Sequence, residues 1–370
     1  MTEIRCDMST VKAAVLGGCL LGGGGGGSKV QGFALGGLAV QVGQPKIASI
    51  GSLNSDDRLL TVALVGSPAS PGSFVKPIHY SRSVELLMEE LKFDIAGLIT
   101  NENGAVATIN GWFQSAITGI PVVDAPCNGR AHPTGAMGSM GLDCLENYVS
   151  VQSFAGGGGS HPYAEGVVRS TLNVASGLIR QASIGAGGFV AVARNPVEAS
   201  YVQQHGAPGA ICQAIQVGQV IVDNMAVGGT KVAEECAGLL GGHIAFVGTV
   251  EKVRLDTDGG FDVGEVVVKD SENSLRMTFW NEYMTADKKT NNNTQERVAT
   301  FPDLIATLDY ESGEPLTTAE IQKGQRIVVL VVPKAGLKLS STMHRKDLLE
   351  KVESVLGETI VDYVFDTSRR

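Results

Sequence analysis

Short apolar runs alternate with stretches of helical spacing in the first half of the chain. The apolar runs are predicted to be buried strands and occupy residues 47–53, 59–65, 95–100 and 120–124. Residues 31–42 and 83–93 space their apolar side chains as helices do, whereas residues 11–21 fit either a buried strand or a short helix. Strands that alternate with helices indicate an α/β domain with a largely parallel sheet, whose loops gather at one end and bind ligands.

The pattern changes after residue 240. Before that point, residues 165–184 and 197–214 are predicted to be helices. After it, runs of period two predict a β-barrel or sandwich and lie at residues 244–250, 264–268, 275–280, 304–308 and 326–332. A polar loop is expected at residues 287–295, and the end of the chain is expected to form an amphipathic helix (344–356) and a short strand (360–364).

Two domains follow from this change of pattern. Residues 1–165 are predicted to form a glycine-rich α/β domain that carries most of the site loops. Residues 166–370 are predicted to contain a helical bridge (166–240), a β-rich barrel or sandwich (241–340) and the C-terminal helix and strand. The predicted fold class is therefore mixed α and β, with a largely parallel sheet followed by a β-rich domain.

Composition and charge narrow the classes of function. The net charge of -9, without a stripe of Lys and Arg, argues against nucleic-acid binding. No apolar stretch reaches 18 residues, so no membrane span is predicted. Six dispersed cysteines without a Cys-x-x-Cys pair are typical of thiols in a reducing compartment, and we expect a cytoplasmic protein.

Glycine is unusually frequent, with 48 residues among 370. Its longest run is Gly22, Gly23, Gly24, Gly25, Gly26 and Gly27, named the glycine loop here. Ser28 and Lys29 follow in the reverse of the order that a nucleotide phosphate loop requires, which argues against triphosphate binding. Consecutive glycines can instead turn several N–H groups toward an anion or a developing oxyanion. A loop that stays small because another element packs over it is an equal alternative.

Two loops after predicted strands carry reactive side chains. Glu102 and Asn103 follow the strand at residues 95–100 and could contact a ligand, although a solvated Asn-Gly turn explains them as well. The loop after residue 123 holds the densest cluster, which comprises Asp124, Cys127, Gly129, Arg130 and His132. Asp124, Cys127 and His132 could ligate a metal such as zinc, or Cys127 could act as a nucleophile. A ligand-contacting loop without metal is the preferred interpretation, with Arg130 as a clamp for a carboxylate.

Two further groups are candidates. His161 follows a second glycine run at residues 156–159 and precedes a predicted helix, so it could serve as an acid or base, or only lie near the helix cap. Asn281 and Glu282 end a predicted strand of the second domain. A buried amide and carboxyl at that position could reach across to the first domain.

Together these motifs resemble the thiohydantoin desulfurase (S-methyl-thiohydantoin desulfurase) family, with its N- and C-terminal domains. This family was formerly uncharacterised and is found beside hydantoinase and oxoprolinase genes. The resemblance spans most of the chain and rests on the glycine loop, residues 102–104, 121–124, 129–131 and Pro133, and on residues 281–282, 302–305, 312–315 and 324–326. Two positions depart from the family, which usually has acidic residues where this chain has Pro126 and Thr134.

The resemblance implies hydrolytic removal of sulfur from C2 of a 2-thiohydantoin or its S-methyl form. We therefore expect a hydrolase acting on a small five-membered ring, with Asp124 or Glu102 as base, Arg130 on a substrate carboxylate, and Cys127 with His132 acting at sulfur or binding a metal. The alternative is a non-catalytic partner subunit or a small-molecule-binding protein that associates with a hydantoinase or oxoprolinase. A homo-oligomer is also compatible with the sequence.

Overall fold

Two sheets dominate the computed structural model, which describes residues 3–66, 75–159, 161–258 and 261–365. Within these residues each sheet has eight strands. The first sheet contains β1 (Glu3–Arg5), β2 (Lys46–Ala48), β3 (Arg58–Gly66), β4 (Gly97–Thr100), β5 (Val122–Val123), β6 (Ser150–Gly158), β7 (His161–Ser170) and β8 (Phe189–Glu198). The second contains β9 (His243–Asp258), β10 (Phe261–Lys269), β11 (Asn273–Trp280), β12 (Glu282–Thr290), β13 (Gln295–Thr300), β14 (Leu304–Asp309), β15 (Pro315–Leu316) and β16 (Arg326–Val332).

Helices pack against both sheets. The α-helices of the described residues are α1 (Met8–Leu21), α2 (Lys29–Val42), α3 (Pro77–Glu90), α4 (Trp112–Thr118), α5 (Leu172–Gly185), α6 (Ala199–His205), α7 (Ala210–Asn224), α8 (Gly229–Leu240), α9 (Lys346–Leu356) and α10 (Val361–Phe365). Short 3-10 turns lie at Ile50–Ser52, Met137–Ser139, Leu142–Cys144, Met225–Val227, Thr318–Glu320, Lys334–Gly336 and Ser341–His344.

The first sheet confirms the predicted α/β character. Its strand order is β1-β2-β5-β4-β3-β8-β6-β7, and β2, β5, β4 and β3 run parallel to one another. The loops after β4 and β5 therefore start at the same end of the sheet, as the rule for open α/β sheets requires. Strands β6, β7 and β8 add an antiparallel extension, so the sheet continues to Glu198, beyond the predicted boundary at residue 165.

The second sheet is antiparallel throughout and has the order β13-β12-β11-β10-β9-β16-β14-β15. This confirms the predicted β-rich second region. Strand β10 alternates buried and less buried residues, as the period-two pattern of the sequence indicated, whereas β14 and β16 are buried on both faces.

Helix α1 lies between the two sheets. Its first turn is capped by Asp7, whose carboxylate accepts a hydrogen bond from the Thr10 backbone N–H at 2.8 Å. One face of α1, including Val15, packs with the first sheet, and another face, including Leu16, packs with α7, α8 and the second sheet. Because both faces are buried, the sequence shows an unbroken apolar run that does not distinguish a helix from a strand.

Several predicted elements are wrong in type. Residues 165–170 belong to β7 and only residues 172–185 form a helix, while residues 197–198 end β8 and a break at residues 206–209 separates α6 from α7. Residues 287–290 extend β12 rather than a loop, because the buried Asp287 carboxylate accepts a hydrogen bond from Arg297 across the sheet at 2.6 Å. The short apolar run at residues 360–364 forms most of helix α10 instead of a strand.

One stretch in the described part of the chain, residues 210–227, is long and apolar enough to cross a membrane. A buried helix of a globular protein has the same composition. Here the apolar face of α7 packs against α1 and α8, where Ala214 and Val217 lie in the core.

A close crossing of α1 and α7 generates a stability prediction. A Cβ on Gly17 would lie 1.8 Å from the Ala214 carbonyl oxygen, and one on Gly218 would lie 1.7 Å from that of Ala13. We expect Gly17→Ala to cost about 1–3 kcal/mol or more, since the helices must separate. Gly238→Ala on α8 is the matched control, because its Cβ meets open space and alanine favours helix by about 1 kcal/mol. Denaturant unfolding checks both, and equal stabilities for the two variants would contradict the packing.

Candidate functional site

A cavity of about 730 Å³ lies where the first sheet, helix α5 and the second sheet meet. Its walls come from the ends of β3 and β4, the glycine loop, the loop before the 3-10 turn at Met137, and two loops of the second sheet region. The residues that line this cavity include Gly24, Gly25, Gly26, Gly27, Asn101, Glu102, His132, Thr134, Asn173, Ser176, Gly177, Arg180, Arg194, Asn281, Glu282, Thr317 and Glu320.

The glycine loop joins α1 to α2 and packs against the second sheet region. The Gly23 carbonyl accepts a hydrogen bond from the Tyr283 N–H at 2.8 Å, and the Gly24 carbonyl accepts one from the Thr318 N–H at 2.9 Å. Gly23, Gly24, Gly26 and Gly27 have positive φ angles of 57° to 98°, which glycine adopts without strain. The structure is consistent with both interpretations of the loop. It faces the cavity, as an anion-binding loop would, and another element packs over it, as expected for a loop that is small for packing reasons.

Two residues after the loop fix the start of α2. The Ser28 hydroxyl accepts a hydrogen bond from the Gln31 N–H at 3.2 Å and caps the helix. The buried Lys29 ammonium turns away from the cavity, donates to the Pro315 carbonyl at 2.5 Å and lies 3.3 Å from Glu314. The N-terminal end of α2 therefore faces the cavity without the lysine that a phosphate loop would supply.

Glu102 is the centre of a polar network. Its Oε2 accepts hydrogen bonds from the His132 backbone N–H at 3.2 Å and the Asn101 amide at 3.3 Å. The His132 ring Nε2 lies 3.3 Å from the same oxygen. Arg194 donates to the Asn101 carbonyl oxygen at 2.5 Å and holds that side chain in place. Burial lowers the pKa of His132 to about 3, with the positive charge of Arg194 adding to the effect, so its imidazole is neutral.

Glu282 enters the same cavity from the second sheet. Its side chain packs on Gly25, where a Cβ would lie 2.1 Å from Glu282 Oε1, and the residue is 2% exposed. Its Oε2 has no hydrogen-bond partner within the described residues. Burial raises the pKa of both Glu102 and Glu282, and repulsion between the two carboxylates raises that of Glu282 further.

Asp124 does not line the cavity. Its carboxylate accepts hydrogen bonds from the Ile211 N–H at 2.7 Å and the Cys212 N–H at 3.4 Å, at the first turn of α7. It thus caps a helix from a distant part of the chain. Nothing in this placement gives it access to a ligand, which counts against Asp124 as the base.

Cys127 and His161 are also outside the cavity. The buried Cys127 thiol lies 3.3 Å from the Thr61 hydroxyl, and burial raises the pKa of this thiol to about 11, which disfavours the reactive thiolate. His161 is exposed at the start of β7, opposite Gly158 in a hairpin, so the predicted helix at this point is wrong. Ser160, between them, lies outside the described residues.

Asn103, Gly129 and Arg130 hold the framework behind the cavity. The Asn103 amide donates to the carbonyl oxygens of Gly129 at 3.2 Å and Ala210 at 2.8 Å. The Arg130 guanidinium donates to the carbonyl oxygen of Pro302 at 3.0 Å and stacks 4.5 Å from the centre of the Phe301 ring. Arg130 therefore joins the two domains rather than lining the cavity as a clamp.

No metal site forms from the predicted ligands. Among the residues that the structure describes, no three His, Cys, Asp or Glu side chains converge on a point where an ion could bind. Asp124, Cys127 and His132 each contact a different element, as described above. The structure thus brings together Glu102, His132, Asn281, Glu282 and residues 24–27, and it places the other candidates elsewhere.

Arg194 and the polar face of α5 were missed from the sequence. Arg194 interrupts the apolar strand β8 and is only 4% exposed. A charged residue inside a run of buried strand residues is rare unless it has a partner, so its position in the sequence was a usable signal. Asn173, Ser176 and Arg180 gave no such signal, because polar residues on a helix usually face water.

The comparisons with known proteins agree with this architecture. The description "S-Me-THD-like, N-terminal domain" matches residues 9–161, and "S-Me-THD-like, C-terminal domain" matches residues 170–341. The chain belongs to the S-Me-THD-like family. This confirms the resemblance seen in the sequence, with its two domains. A search of curated proteins gives no significant match.

A solved structure shares the fold. The X-ray crystal structure of a protein from Chromobacterium violaceum superimposes with a TM-score of 0.74 and covers 96% of each chain. Its sequence is 18% identical to this one, so the similarity concerns the fold alone.

The placement of Asp124 predicts a structural phenotype. We expect Asp124→Ala to lower the free energy of unfolding by about 1 kcal/mol, because α7 loses its cap, whereas Asp124→Asn retains an acceptor and most of the stability. Thermal unfolding of the two variants measures the difference. An Asp124→Ala protein of unchanged stability would contradict the capping role.

The raised pKa of Glu102 predicts how stability depends on pH. Since the fold favours the protonated carboxyl, its contribution is fully present below the ordinary value of 4.5 and is lost as the pH rises through the raised pKa. Each pH unit in that window costs about 1.4 kcal/mol at most. Glu102→Gln should therefore unfold at a higher temperature than the wild type at pH 9 and at a similar one at pH 4. The exposed Glu251→Gln is the control; a parallel pH profile of Glu102→Gln and the wild type would refute the expectation.

Proposed function

We propose that this protein is a hydrolase that removes sulfur from a thiohydantoin-like five-membered ring, with Glu102 and Glu282 as its acid–base pair. The observation that carries the proposal is that two buried carboxyl groups, one from each domain, face a single cavity. Pairs of carboxyl groups with different surroundings are a recurrent means of running acid and base chemistry in one site. The family description points to the same class of ring.

The surroundings of the two carboxyl groups divide their roles. Glu102 accepts two N–H bonds, and Arg194 lies nearby, so its charged form is the better stabilised of the two. Glu282 has an unpartnered oxygen within the described residues and the negative potential of Glu102 beside it. We assign Glu102 as the base in its ionised form and Glu282 as the proton donor.

The reaction follows from these assignments. Glu102 accepts a proton from water as the water oxygen forms a bond with ring C2. The C2–S bond then breaks and the sulfur takes a proton from Glu282, so that methanethiol leaves from the S-methyl form and hydrogen sulfide from the free thio form. For the S-methyl form, one proton of the water ends on sulfur and one on the ring nitrogen, and no oxidant is needed. Helix α2 and the glycine loop direct positive backbone potential at the developing negative charge.

The proposal also includes the cellular compartment of the protein and the kind of molecule that it binds. All six cysteines are free thiols, which supports a reducing compartment such as the cytoplasm. We propose that the protein binds a small-molecule substrate, and we propose no binding to nucleic acid or to a membrane.

A binding role is the second candidate. Thr134 lines the cavity at a position where the family usually has an acidic residue, so this chain offers one fewer carboxyl group to a substrate. A non-catalytic protein that binds a hydantoin, alone or with a hydantoinase or oxoprolinase, would use the same cavity. Binding of a ring without release of sulfur would favour this candidate.

Turnover of a panel of 2-thiohydantoins and their S-methyl derivatives tests the enzyme. We expect release of sulfide or methanethiol, detected with a thiol reagent, and a loss of kcat of about 100-fold or more in Glu102→Gln and in Glu282→Gln. The exposed Glu251→Gln is the matched control and should retain full activity. Absence of turnover in the wild type, or full activity in both cavity variants, would refute the proposal.

A further inference from the structure

Strand β7 forms one edge of the first sheet. Within the described residues it pairs only with β6, so the N–H and C=O groups along its other side have no strand partner there. It is ten residues long, whereas the edge strands β1 and β15 have three and two residues. The fourth edge strand, β13, has six residues and begins with a polar, exposed segment. Short or polar edges are protected from pairing with another chain, and a long edge such as β7 is a template for it.

Apolar side chains are exposed on both faces of this edge. On one face Val167 is 37% exposed, because α3 packs mainly over β6 and β8 and covers β7 less. On the other face Val174 and Leu178 of α5 are each 52% exposed, and their spacing of four makes them neighbours on the helix surface. They lie on the side of α5 that is opposite to Ser176 and Arg180, which line the cavity. This apolar patch is therefore separate from the proposed catalytic site.

Helix α5 runs back over β7, so Leu178 lies near the middle of the strand. Ile179, its neighbour, belongs to the core cluster against which Val168 packs. Gly187, just after the helix, lies at the other end of the strand, where a Cβ would meet the His161 ring at 2.5 Å. A chain that pairs with the middle of β7 therefore also meets Leu178.

The charges of β7 are complementary to those of a second copy of the same strand. Glu165 and Arg169 lie two residues to either side of Val167 and on the same face of the sheet. When two β7 strands pair antiparallel about a two-fold axis at Val167, Glu165 of each copy faces Arg169 of the other. An axis at residue 165 or 169 opposes two like charges instead, which is destabilising, and an axis at 166 or 168 opposes each charge to an uncharged residue.

Both charges already have a partner in their own chain and remain accessible. Glu165 lies 2.8 Å from Arg82, and Arg169 donates to Glu90 at 2.7 Å, with both partners on α3. The side chains of Glu165 and Arg169 are still 33% and 51% exposed. Contact across the axis therefore joins two ion pairs into a row of alternating charges and requires neither pair to break. Such networks contribute more than isolated surface pairs do.

We propose that two copies of this chain form a homodimer by pairing their β7 strands antiparallel about Val167. Residues 164–170 of the two strands pair, and the two first sheets become one continuous sheet. The α5 helices then pack side by side through Val174 and Leu178. Since α5 lies over β6 and β7, and strands are about 4.8 Å apart, the two helix axes are roughly 10 Å apart, within the range for packed helices. A two-fold contact of this kind closes on itself and covers both free edges.

Exchange of charges between copies tests the register of the two strands. In a homodimer of Glu165→Arg, or of Arg169→Glu, like charges face each other at both crossings, whereas a mixture of the two variants restores opposite charges at both. We expect the wild type to have twice the mass of the 38.6 kDa chain. Each variant alone should dimerise about tenfold more weakly, and the equimolar mixture should recover. Sedimentation velocity over a dilution series measures all four samples.

The mixture controls for effects within one chain. Each variant loses the same internal ion pair whether it is alone or mixed, so recovery reports only the contact between copies. A mixture that dimerises no better than its components would overturn the proposed register and the dimer that depends on it.

Leu178→Glu tests the contact between the helices. It brings two carboxylates together near the two-fold axis, and we expect a monomer at concentrations where the wild type is dimeric. Leu239→Glu on α8 is the matched control, because Leu239 is 48% exposed and lies outside the proposed interface. Thermal unfolding verifies that both variants are folded, and the mixing experiment decides alone if Leu178→Glu is not.

Two further results would overturn the homodimer. A wild type that stays monomeric leaves the β7 edge to some other chain, and a dimer that withstands Leu178→Glu forms through another surface. The inference does not rest on the proposed reaction, so release of sulfur from a thiohydantoin neither supports nor weakens it.

Discussion

The backbone of the glycine loop lies directly against the second sheet region. Gly23 and Gly24 give their carbonyl oxygens to Tyr283 and Thr318, and Gly25 leaves the space that the Glu282 side chain occupies. A methyl group at residue 25 would meet the Glu282 carboxyl at 2.1 Å. This close approach positions one carboxyl group of the cavity and joins the two domains around it. The run of glycines is therefore required by packing as well as available for anion binding.

Charge is concentrated in the cavity at a cost to stability. Burial raises the pKa of Glu102 and Glu282 and lowers the pKa of Arg194, so the charged form of each of these groups is less stable around this space than it is in water. Burying such groups is unfavourable unless they pair well, and Glu282 and Arg194 each retain an unpartnered atom within the described residues. Perturbed groups that cluster in a cleft are characteristic of functional sites, where a ligand supplies the missing partners.

The sequence was informative where a residue obeys one dominant constraint. The antiparallel strands of the second sheet followed from their period of two, and Glu102 followed from its place after a parallel strand. The same rule failed for Asp124, because its carboxylate turns back to cap α7, a partner 87 residues away. The sequence of helix α1 fitted either a strand or a helix, because the helix is buried on two faces and its apolar residues therefore form an unbroken run. Arg194 was not predicted as a site residue, because the apolar residues around it define the strand β8 and nothing in that pattern indicates which way a single charged side chain points.

The pairing of β3 with β8 has a consequence for synthesis on the ribosome. Strand β3 ends at Gly66, but the antiparallel neighbour that covers its free edge is β8, which ends at Glu198. At about 5–20 residues per second, the ribosome needs on the order of ten seconds to make the intervening chain. During that interval the nascent α/β segment has an uncovered apolar strand edge, a feature that promotes aggregation. The antiparallel extension is thus the step that closes the sheet, and a chain cut between the two family domains would leave it open.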